Sequence, residues 1–270
     1  MATPQLSVQL YTVRDQLADD LDGTLERLAA LGFAQVEAFD LVNSAPALAG
    51  ALRRHGLRAP TAHAMFLGDA IAAGADEVPT AMLDAVFDAA AELGVGTVFE
   101  PFVGPEHWGS ADQVRRTADL LNRASAAAAA RGIALGYHNH SMEFHHSFEG
   151  ISAYELFAAE LDPAVVLELD AYWAQVGRQD VPALAARLGS RIAALHVKDG
   201  STDNDRFLPG VPDTAPLGQV PAGLGAVPLA AVLAAAPGLD YAVVEFDAVD
   251  GDIFAAIAGT VGFLAQLGIR

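Results

Sequence analysis

Eight short apolar runs recur along this chain at fairly even spacing, with a helix-like stretch after each. The runs are LSVQLY (6–11), AQVEAF (34–39), RAPTAH (58–63), TVFEPF (97–102), IALGYH (133–138), VVLELD (165–170), IAALHV (192–197) and YAVVEF (241–246). Most are continuously apolar rather than alternating, which is typical of parallel strands that are covered on both faces. The pattern therefore predicts eight parallel strands joined by helical crossovers.

The stretches between these runs carry helix start and stop signals. Pro79 opens one stretch and Gly94 ends it, while Ser110 and Gln113 form a capping-box pattern at the start of another. The clearest helical stretches are 24–32, 79–94, 110–132, 180–189 and 252–268. Eight strand–helix units in 270 residues predict a single-domain α/β fold over residues 1–270, a (β/α)8 TIM barrel. The first strand is not followed by G-x-G-x-x-G, which argues against a dinucleotide-binding sheet.

Residues 200–226 interrupt this spacing. The segment GSTDNDRFLPGVPDTAPLGQVPAGLGA is rich in Pro and Gly and has no clear periodicity. A connection of this length is usually a lid, a binding loop or disordered. Because it follows the seventh strand, we expect it to lie over the catalytic face of the barrel.

The charge balance excludes some classes of partner. The chain has 15 basic and 34 acidic residues, a net charge of −19, and no cysteine. Such an acidic protein repels nucleic-acid phosphates and anionic lipid, and it offers no thiolate for a metal or a nucleophile. No signal-peptide pattern and no apolar run of about 18 residues is present. We therefore expect a cytoplasmic protein that binds neither nucleic acid nor membrane.

Several predicted strands end in groups able to bind a metal. Catalytic residues of these barrels lie at the C-terminal strand ends, where carboxylates buried together need compensating positive charge. The fifth to eighth strands supply one candidate ligand each: Glu143, Asp170, His196 and Glu245. His138 and His140 are alternatives to Glu143. Oxygen and imidazole ligands without sulfur suit Mn²⁺, Mg²⁺ or Co²⁺, and also Zn²⁺ or Fe²⁺.

Other polar groups at these ends also have structural interpretations. A lone His at a strand end is often only a hydrogen-bonding group, and an Asp after a strand is often a helix cap. Glu168, within LELD, is interpreted as a paired structural carboxylate inside the barrel.

Five motifs together resemble the xylose isomerase-like TIM-barrel family of sugar isomerases and epimerases. They are QLYTVRD, GYHNHSMEF, LELDAYW, HVKDG and VVEFD, and they span the chain nearly end to end. That family includes ketose 3-epimerases, inosose dehydratases and hydroxypyruvate isomerases, and more distantly the endonuclease IV type of enzyme. The resemblance implies one divalent metal, with Mn²⁺ favoured, held by Glu143, Asp170, His196 and Glu245. It also implies that Glu143 and Glu245 are the acid and base.

The implied reaction is proton abstraction next to a sugar or polyol carbonyl through an enediolate, which gives an isomerase or epimerase. The alternatives are a lyase or dehydratase that acts on a keto-inositol or 3-keto-sugar at the same site, and a non-catalytic sugar-binding barrel. His138, His140 and Lys198 would bind substrate hydroxyls or protonate a leaving oxygen. His63 and Glu100 would contact the sugar or orient the ligands. The expected partner is a small-molecule carbohydrate, and a homo-oligomer is compatible with the resemblance.

Overall fold

The computed structural model describes residues 3–212 and 214–270, and its centre is an eight-stranded parallel sheet. The strands are β1 (Gln5–Val8), β2 (Gln35–Ala38), β3 (Arg58–His63), β4 (Thr97–Glu100), β5 (Ala134–His138), β6 (Val166–Asp170), β7 (Ile192–Val197) and β8 (Tyr241–Val244). Their spatial order is β1-β8-β7-β6-β5-β4-β3-β2. A parallel bridge between Gln9 and Glu37 joins the two outer strands. The predicted (β/α)8 barrel is confirmed.

Helices surround the strands. They are α1 (Arg14–Asp19), α2 (Leu21–Ala30), α3 (Leu41–Arg54), α4 (Leu67–Ala72), α5 (Thr80–Leu93), α6 (Ala111–Ala129), α7 (Ala153–Glu160), α8 (Ala171–Val176), α9 (Val181–Leu188), α10 (Leu229–Ala235) and α11 (Ile253–Gln266). Local chemistry sets their limits. Ser110 Oγ accepts a hydrogen bond from Gln113 N at the start of α6, and Gly94 ends α5 in the left-handed region at φ 74°.

Three strands, β1, β4 and β8, end at least two residues earlier than their apolar runs. β1 stops at Val8 because the chain turns into a 3-10 helix over Leu10–Val13. β4 stops before Pro101, which has no N–H to donate to a neighbouring strand. β8 stops at Val244, since the N–H of Phe246 instead donates to Thr12 Oγ1. In each case the last residues of the run lie in the loops at the C-terminal face of the barrel, where a binding or catalytic site is expected.

The interior of the barrel has two layers of different chemistry. Phe99, Ala194 and Val243 form a small apolar cluster of their own, packed by Val166 and Tyr241. Side chains alternate in and out along a barrel strand, so the residues two positions further along β6, β7 and β8 face the same interior. These are Glu168, His196 and Glu245, all buried. The interior therefore changes from apolar to ionisable towards the C-terminal strand ends.

The long segment after β7 is ordered by side chains at its base. The carboxylate of Asp199 accepts hydrogen bonds from four backbone N–H groups, those of Gly200, Gly223, Gly225 and Val227. The two ends of the segment also pair as short antiparallel strands, Asp199–Gly200 with Gln219–Val220. Within the described part of the chain, no helix combines the length and apolar character that crossing a membrane requires.

Candidate metal centre

Four buried side chains meet at the C-terminal ends of neighbouring strands. Each offers one ligand atom, and these atoms lie within 4.8 Å of one another. Three belong to the ends of β5, β6 and β7, and the fourth directly follows β8. The residues, named here the four-residue group, are His138, Asp170, His196 and Glu245.

The two oxygens of Asp170 have different roles. Oδ1 accepts a hydrogen bond from Trp173 N at 2.7 Å and caps helix α8. Oδ2 lies 2.9 Å from Lys198 Nζ, in a geometry that makes no hydrogen bond. The side-chain amide of Asn139 holds the backbone of Asp170 in place. Its Oδ1 accepts a hydrogen bond from Asp170 N at 3.0 Å, and its Nδ2 donates one to Asp170 O at 3.2 Å. The helix-cap interpretation and the ligand interpretation of this residue are thus compatible, because each uses a different oxygen.

His138 is oriented by a carboxylate deeper in the barrel. Its Nδ1 lies 3.0 Å from Glu168 Oε2, and its Nε2 lies 4.0 Å from Asp170 Oδ2. Burial, and next the neighbouring imidazole of His196, lower the pKa of His138 well below its usual value. A neutral imidazole that donates from Nδ1 has its lone pair on Nε2. That lone pair faces the four-residue group, as expected of a metal ligand.

His196 has the same arrangement on β7. Its Nε2 lies 2.8 Å from Glu37 Oε1 inside the barrel, and its Nδ1 lies 2.6 Å from Glu245 Oε2. Burial alone would lower the pKa of His196, but Glu168 and Glu245 raise it well above its usual value. Without a metal, this imidazole therefore carries a proton on the nitrogen that faces Glu245.

The carboxylates deeper in the barrel form a second network. Glu168 Oε2 lies 2.5 Å from His63 Nε2 and 3.1 Å from His196 Nε2, and Glu37 Oε1 accepts a hydrogen bond from Gln9 Nε2. His63, His138, Glu168 and His196 also have ligand atoms within 4.8 Å of one another. Glu37 Oε2 and Glu168 Oε1 have no hydrogen-bond partner among residues 3–212 and 214–270. Both networks thus concentrate anionic oxygens that a cation would stabilise.

The four-residue group borders a cavity of about 360 Å³ at the C-terminal face. Two of its members, His138 and Glu245, line this cavity together with His63, His140 and Asp247. Glu168 is absent from the residues that line it and is fully buried. The deeper group also has two members in the lining, His63 and His138, but its carboxylate does not reach the cavity, whereas Glu245 does. A substrate in the cavity would therefore meet a carboxylate ligand of the four-residue group, which favours this group over the deeper one.

Lys198 adds a fixed positive charge beside the four-residue group. Its Nζ lies 2.9 Å from Asp170 Oδ2, 2.7 Å from Glu245 Oε2 and 3.0 Å from Asp247 Oδ2. Burial alone would raise the pKa of Glu245, but Lys198 and His196 lower it well below its usual value. Glu245 is therefore ionised at neutral pH.

Glu143 lies apart from these residues. It sits in the 3-10 turn Met142–Phe144, beyond the end of β5. Its carboxylate accepts hydrogen bonds from the Tyr137 hydroxyl at 2.8 Å and from His140 N at 3.0 Å. Tyr137 precedes His138 and so points out of the barrel, where it packs on Trp108. The structure thus brings Asp170, His196 and Glu245 together as predicted, but it joins them with His138, one of the two alternatives, rather than with Glu143.

The predicted substrate-binding residues lie in different surroundings. His63, His138 and His140 line the cavity, and His140 Nδ1 has no hydrogen-bond partner within the described residues. Burial, followed by the charge of Lys198, lowers the pKa of His140 to about 4, so its imidazole is neutral.

Glu100 has a structural environment instead. Its two oxygens accept hydrogen bonds from the backbone N–H groups of Phe66, Leu67 and Phe102. It thereby holds the loop that follows β3, and it is absent from the residues that line the cavity.

Sequence reasoning did not single out Glu37. This carboxylate lies in the middle of the apolar run AQVEAF, and it is fully buried on β2. A lone Glu within a continuously apolar strand is the signal that identifies it, because burying that charge requires a partner. Its partners are Gln9, which directly follows β1, His63 on β3 and His196 on β7, which the sequence alone does not bring together.

The sequence and the fold of this chain are similar to those of known proteins. A family model described as "Xylose isomerase-like TIM barrel" matches residues 25–248. A sugar phosphate isomerase/epimerase from Parabacteroides distasonis superposes with a TM-score of 0.76 at 22% identity, covering 98% of this chain and 96% of that one. A search of curated protein sequences finds no significant match.

Two further solved structures share the fold. The probable 3-DHS dehydratase AsbF from Bacillus anthracis has a TM-score of 0.73 at 13% identity, with 97% and 98% of the two chains covered. D-allulose 3-epimerase from Methylomonas sp. has a TM-score of 0.67 at 15% identity, with 98% and 99% covered. At these identities the superpositions establish the fold alone, whereas the family model spans most of the sequence. The chain belongs to the xylose isomerase-like TIM-barrel family.

Proposed function

We propose that this protein is a divalent-metal-dependent enzyme that removes a proton next to the carbonyl of a sugar or polyol, as an isomerase or epimerase. The four-residue group beside the cavity is the observation that carries this proposal. Sugar isomerases and epimerases among the similar structures support it at the level of the family.

The residues of the group suit a divalent cation. His138 and His196 would supply imidazole nitrogens, while Asp170 and Glu245 would supply carboxylate oxygens. Two nitrogens and two oxygens without sulfur are compatible with Mn²⁺, Co²⁺, Zn²⁺ or Fe²⁺, and less so with Mg²⁺, which prefers oxygen. The bound cation would supply Lewis-acid polarisation of the substrate carbonyl.

Glu245 is the residue we assign to proton abstraction. Its carboxylate lines the cavity, so it can contact a substrate C–H. The ammonium of Lys198 lies 2.7 Å away and keeps this carboxylate ionised, which leaves it able to accept a proton. Lys198 does not line the cavity, and its ammonium is already within 3.0 Å of three carboxylates, so we assign it this electrostatic role and no contact with substrate.

A second proton-transfer group is needed for inversion at carbon. The sequence predicted Glu143 for this role, but its oxygens are bonded to Tyr137 and to His140 N, and it does not line the cavity. We assign the role instead to His140, whose imidazole lines the cavity. Because this imidazole is neutral, it has to take up a proton from solvent before it delivers one to carbon. Histidine is the residue that most often transfers protons in enzymes.

The same observation favours a second candidate, a lyase or dehydratase that eliminates a β-hydroxyl from a keto-sugar or keto-inositol. Elimination needs one base for the C–H and one donor for the departing oxygen. Glu245 would be the base and His140, after it takes up a proton from solvent, would be the donor, so no second glutamate is needed. A probable dehydratase is among the similar structures.

Deuterium exchange tests the proposal. The Mn²⁺-loaded protein is incubated in D₂O with ketoses, keto-inositols and 3-keto-glycosides, and the products are analysed by NMR and mass spectrometry. We expect metal-dependent deuterium uptake beside the carbonyl, and the product distinguishes epimerisation, isomerisation and elimination.

Two variants make this experiment specific. Glu245→Gln should abolish the exchange, whereas Glu143→Gln, which alters a buried glutamate outside the four-residue group, should retain most of it. The wild type could instead bind sugar and show no deuterium exchange. If Glu245→Gln then bound sugar equally well, the protein would be a non-catalytic sugar-binding barrel.

A further inference from the structure

The cavity above the four-residue group has a polar part and an apolar part. His63, His138 and Glu245 are at least 92% buried, and they form its inner surface. Tyr11 and Met65, by contrast, are 38% and 41% exposed and form its mouth. The remaining apolar lining residues are Phe39, Pro101 and Phe102. A ligand that fills the cavity would therefore meet ionisable groups at one end and apolar surface at the other.

The apolar part of the cavity is formed by aromatic rings that pack on one another. The rings of Tyr11 and Phe39 pack edge to face with centroids 5.6 Å apart. Phe102 packs at 5.7 Å against the ring of His140 and at 6.1 Å against Phe207, which belongs to the long segment after β7. Aromatic surface that stays accessible at a cavity mouth is typical of a binding site for an apolar or aromatic group.

The cavity is also larger than a single sugar ring requires. Its volume of about 360 Å³ is within the range of about 300–1,000 Å³ that is typical of pockets enclosing drug-sized ligands. A hexose, with about twelve heavy atoms, is smaller than such a ligand. A hexose ring placed at the ionisable end would therefore leave the apolar end unfilled.

The charges of the cavity disfavour a phosphate. Its charged lining residues other than histidines are Asp40, Glu245 and Asp247, all acidic. The nearest ammonium, Lys198, is already within 3.0 Å of three carboxylates. Arg14 does not line the cavity: its guanidinium lies over the Tyr11 ring and donates to the backbone carbonyls of Tyr11 and Asp247. A phosphate dianion in the cavity would thus meet mostly negative charge.

We propose that the substrate is an unphosphorylated sugar that carries an apolar substituent, such as a glycoside with an aromatic aglycone. The sugar ring lies against His63, His140 and Glu245, and the substituent lies between Tyr11, Met65 and Phe102. The placement of the sugar ring rests on the function proposed above, whereas the selection for an apolar substituent and against phosphate rests on the cavity lining alone.

Binding of matched ligands tests this inference without turnover. Glucose, phenyl β-D-glucoside and glucose 6-phosphate, with the corresponding galactose series, are titrated into the protein loaded with diamagnetic Zn²⁺ by calorimetry and by saturation-transfer NMR. We expect the phenyl glycoside of at least one series to bind at least tenfold more tightly than the free sugar, and the sugar phosphate to bind most weakly.

Variants of the apolar part locate the effect. Phe102→Ala and Met65→Ala should each remove most of the preference for the phenyl glycoside. Met65→Ala should also leave free-sugar binding little changed, whereas Phe102→Ala additionally removes a ring that packs on His140. Leu224→Ala is the control, because Leu224 is 75% exposed and lies outside the cavity. Thermal denaturation of each variant verifies folding, and Met65→Ala, at an exposed position, serves if Phe102→Ala does not fold.

Three outcomes would overturn the inference: tighter binding of the sugar phosphate, no binding of any phenyl glycoside at millimolar concentration, or an unchanged preference in both cavity variants. The result is separable from the proposed reaction. Glu245→Gln should abolish deuterium exchange yet keep the glycoside preference, whereas a failed exchange assay with an intact preference would refute only the reaction.

Discussion

The Nδ1 atom of His138 lies 3.0 Å from Oε2 of Glu168, so the lone pair on Nε2 points to the four-residue group. Carboxylates that orient a ligating imidazole commonly contribute about 10–100-fold to metal affinity. We therefore expect Glu168→Gln to weaken Mn²⁺ binding by about that factor, measured by calorimetry, even though Glu168 need not contact the metal.

Two further variants define this result. His138→Ala should weaken Mn²⁺ binding more than Glu168→Gln does, since it removes a ligand nitrogen. Glu143→Gln should bind Mn²⁺ as the wild type does. If Glu143→Gln lost the metal and His138→Ala kept it, the ligand set implied by the family resemblance would be correct, and the set proposed from the structure would fail.

Glu143 should make the stability of the protein depend on pH. Burial raises its pKa to about 7, although hydrogen bonds from backbone N–H groups and Tyr137 oppose the shift. At pH values between 4.5, the pKa in the unfolded state, and about 7, the pKa in the folded state, the folded protein binds more protons at Glu143 than the unfolded protein does. Stability contributed by this group is therefore present below about pH 4.5, is lost as pH rises to 7, and is constant above. The expected loss is on the order of 3 kcal/mol.

Urea denaturation of the wild type and Glu143→Gln at pH 5 and pH 8 measures this contribution. Glu100 titrates in the same direction, because burial raises its pKa to about 7 as well. The informative quantity is thus the change in the free energy of unfolding between pH 5 and pH 8, compared between the two proteins. We expect this change to be smaller in Glu143→Gln than in the wild type. Equal pH dependence in both would show that Glu143 is ionised throughout the range.

The sequence predicted the barrel because the features that define it are local. Each apolar run and each helix signal, such as Ser110 before α6, can be identified within a few residues. The site was predicted less completely, because it depends on where side chains point. Glu143 belongs to a plausible motif, yet the turn after β5 directs it to Tyr137 outside the barrel. Glu37 is on no motif, and only closure of the sheet brings it to His196.

Asp199 should control the order of residues 200–226. Its carboxylate accepts hydrogen bonds from four backbone N–H groups, two at each oxygen. An asparagine at the same position has only one acceptor oxygen and could not accept all four. Because a hydrogen bond to a charged group is worth about 1.5–3 kcal/mol, we expect Asp199→Asn to speed hydrogen exchange of Gly223, Gly225 and Val227 at least tenfold. Asp203→Asn, an exposed carboxylate of the same segment that contacts Ser201, is the control. Equal exchange in both variants would contradict the anchoring role.

Gly136 should be intolerant of a side chain because it lies against packed atoms of the neighbouring strands. A Cβ at this position would come within 2.6 Å of the Phe99 ring and 2.7 Å of the Val166 carbonyl oxygen, and the backbone oxygen of β6 cannot move without disturbing the sheet. We expect Gly136→Ala to lower the free energy of unfolding by about 1–3 kcal/mol. Gly262→Ala, in helix α11 with nothing within 4 Å of the added Cβ, should instead raise it by about 0.4–1 kcal/mol. Urea denaturation of both variants measures the contrast, and a stable Gly136→Ala protein would show that β5 has room to shift at its centre.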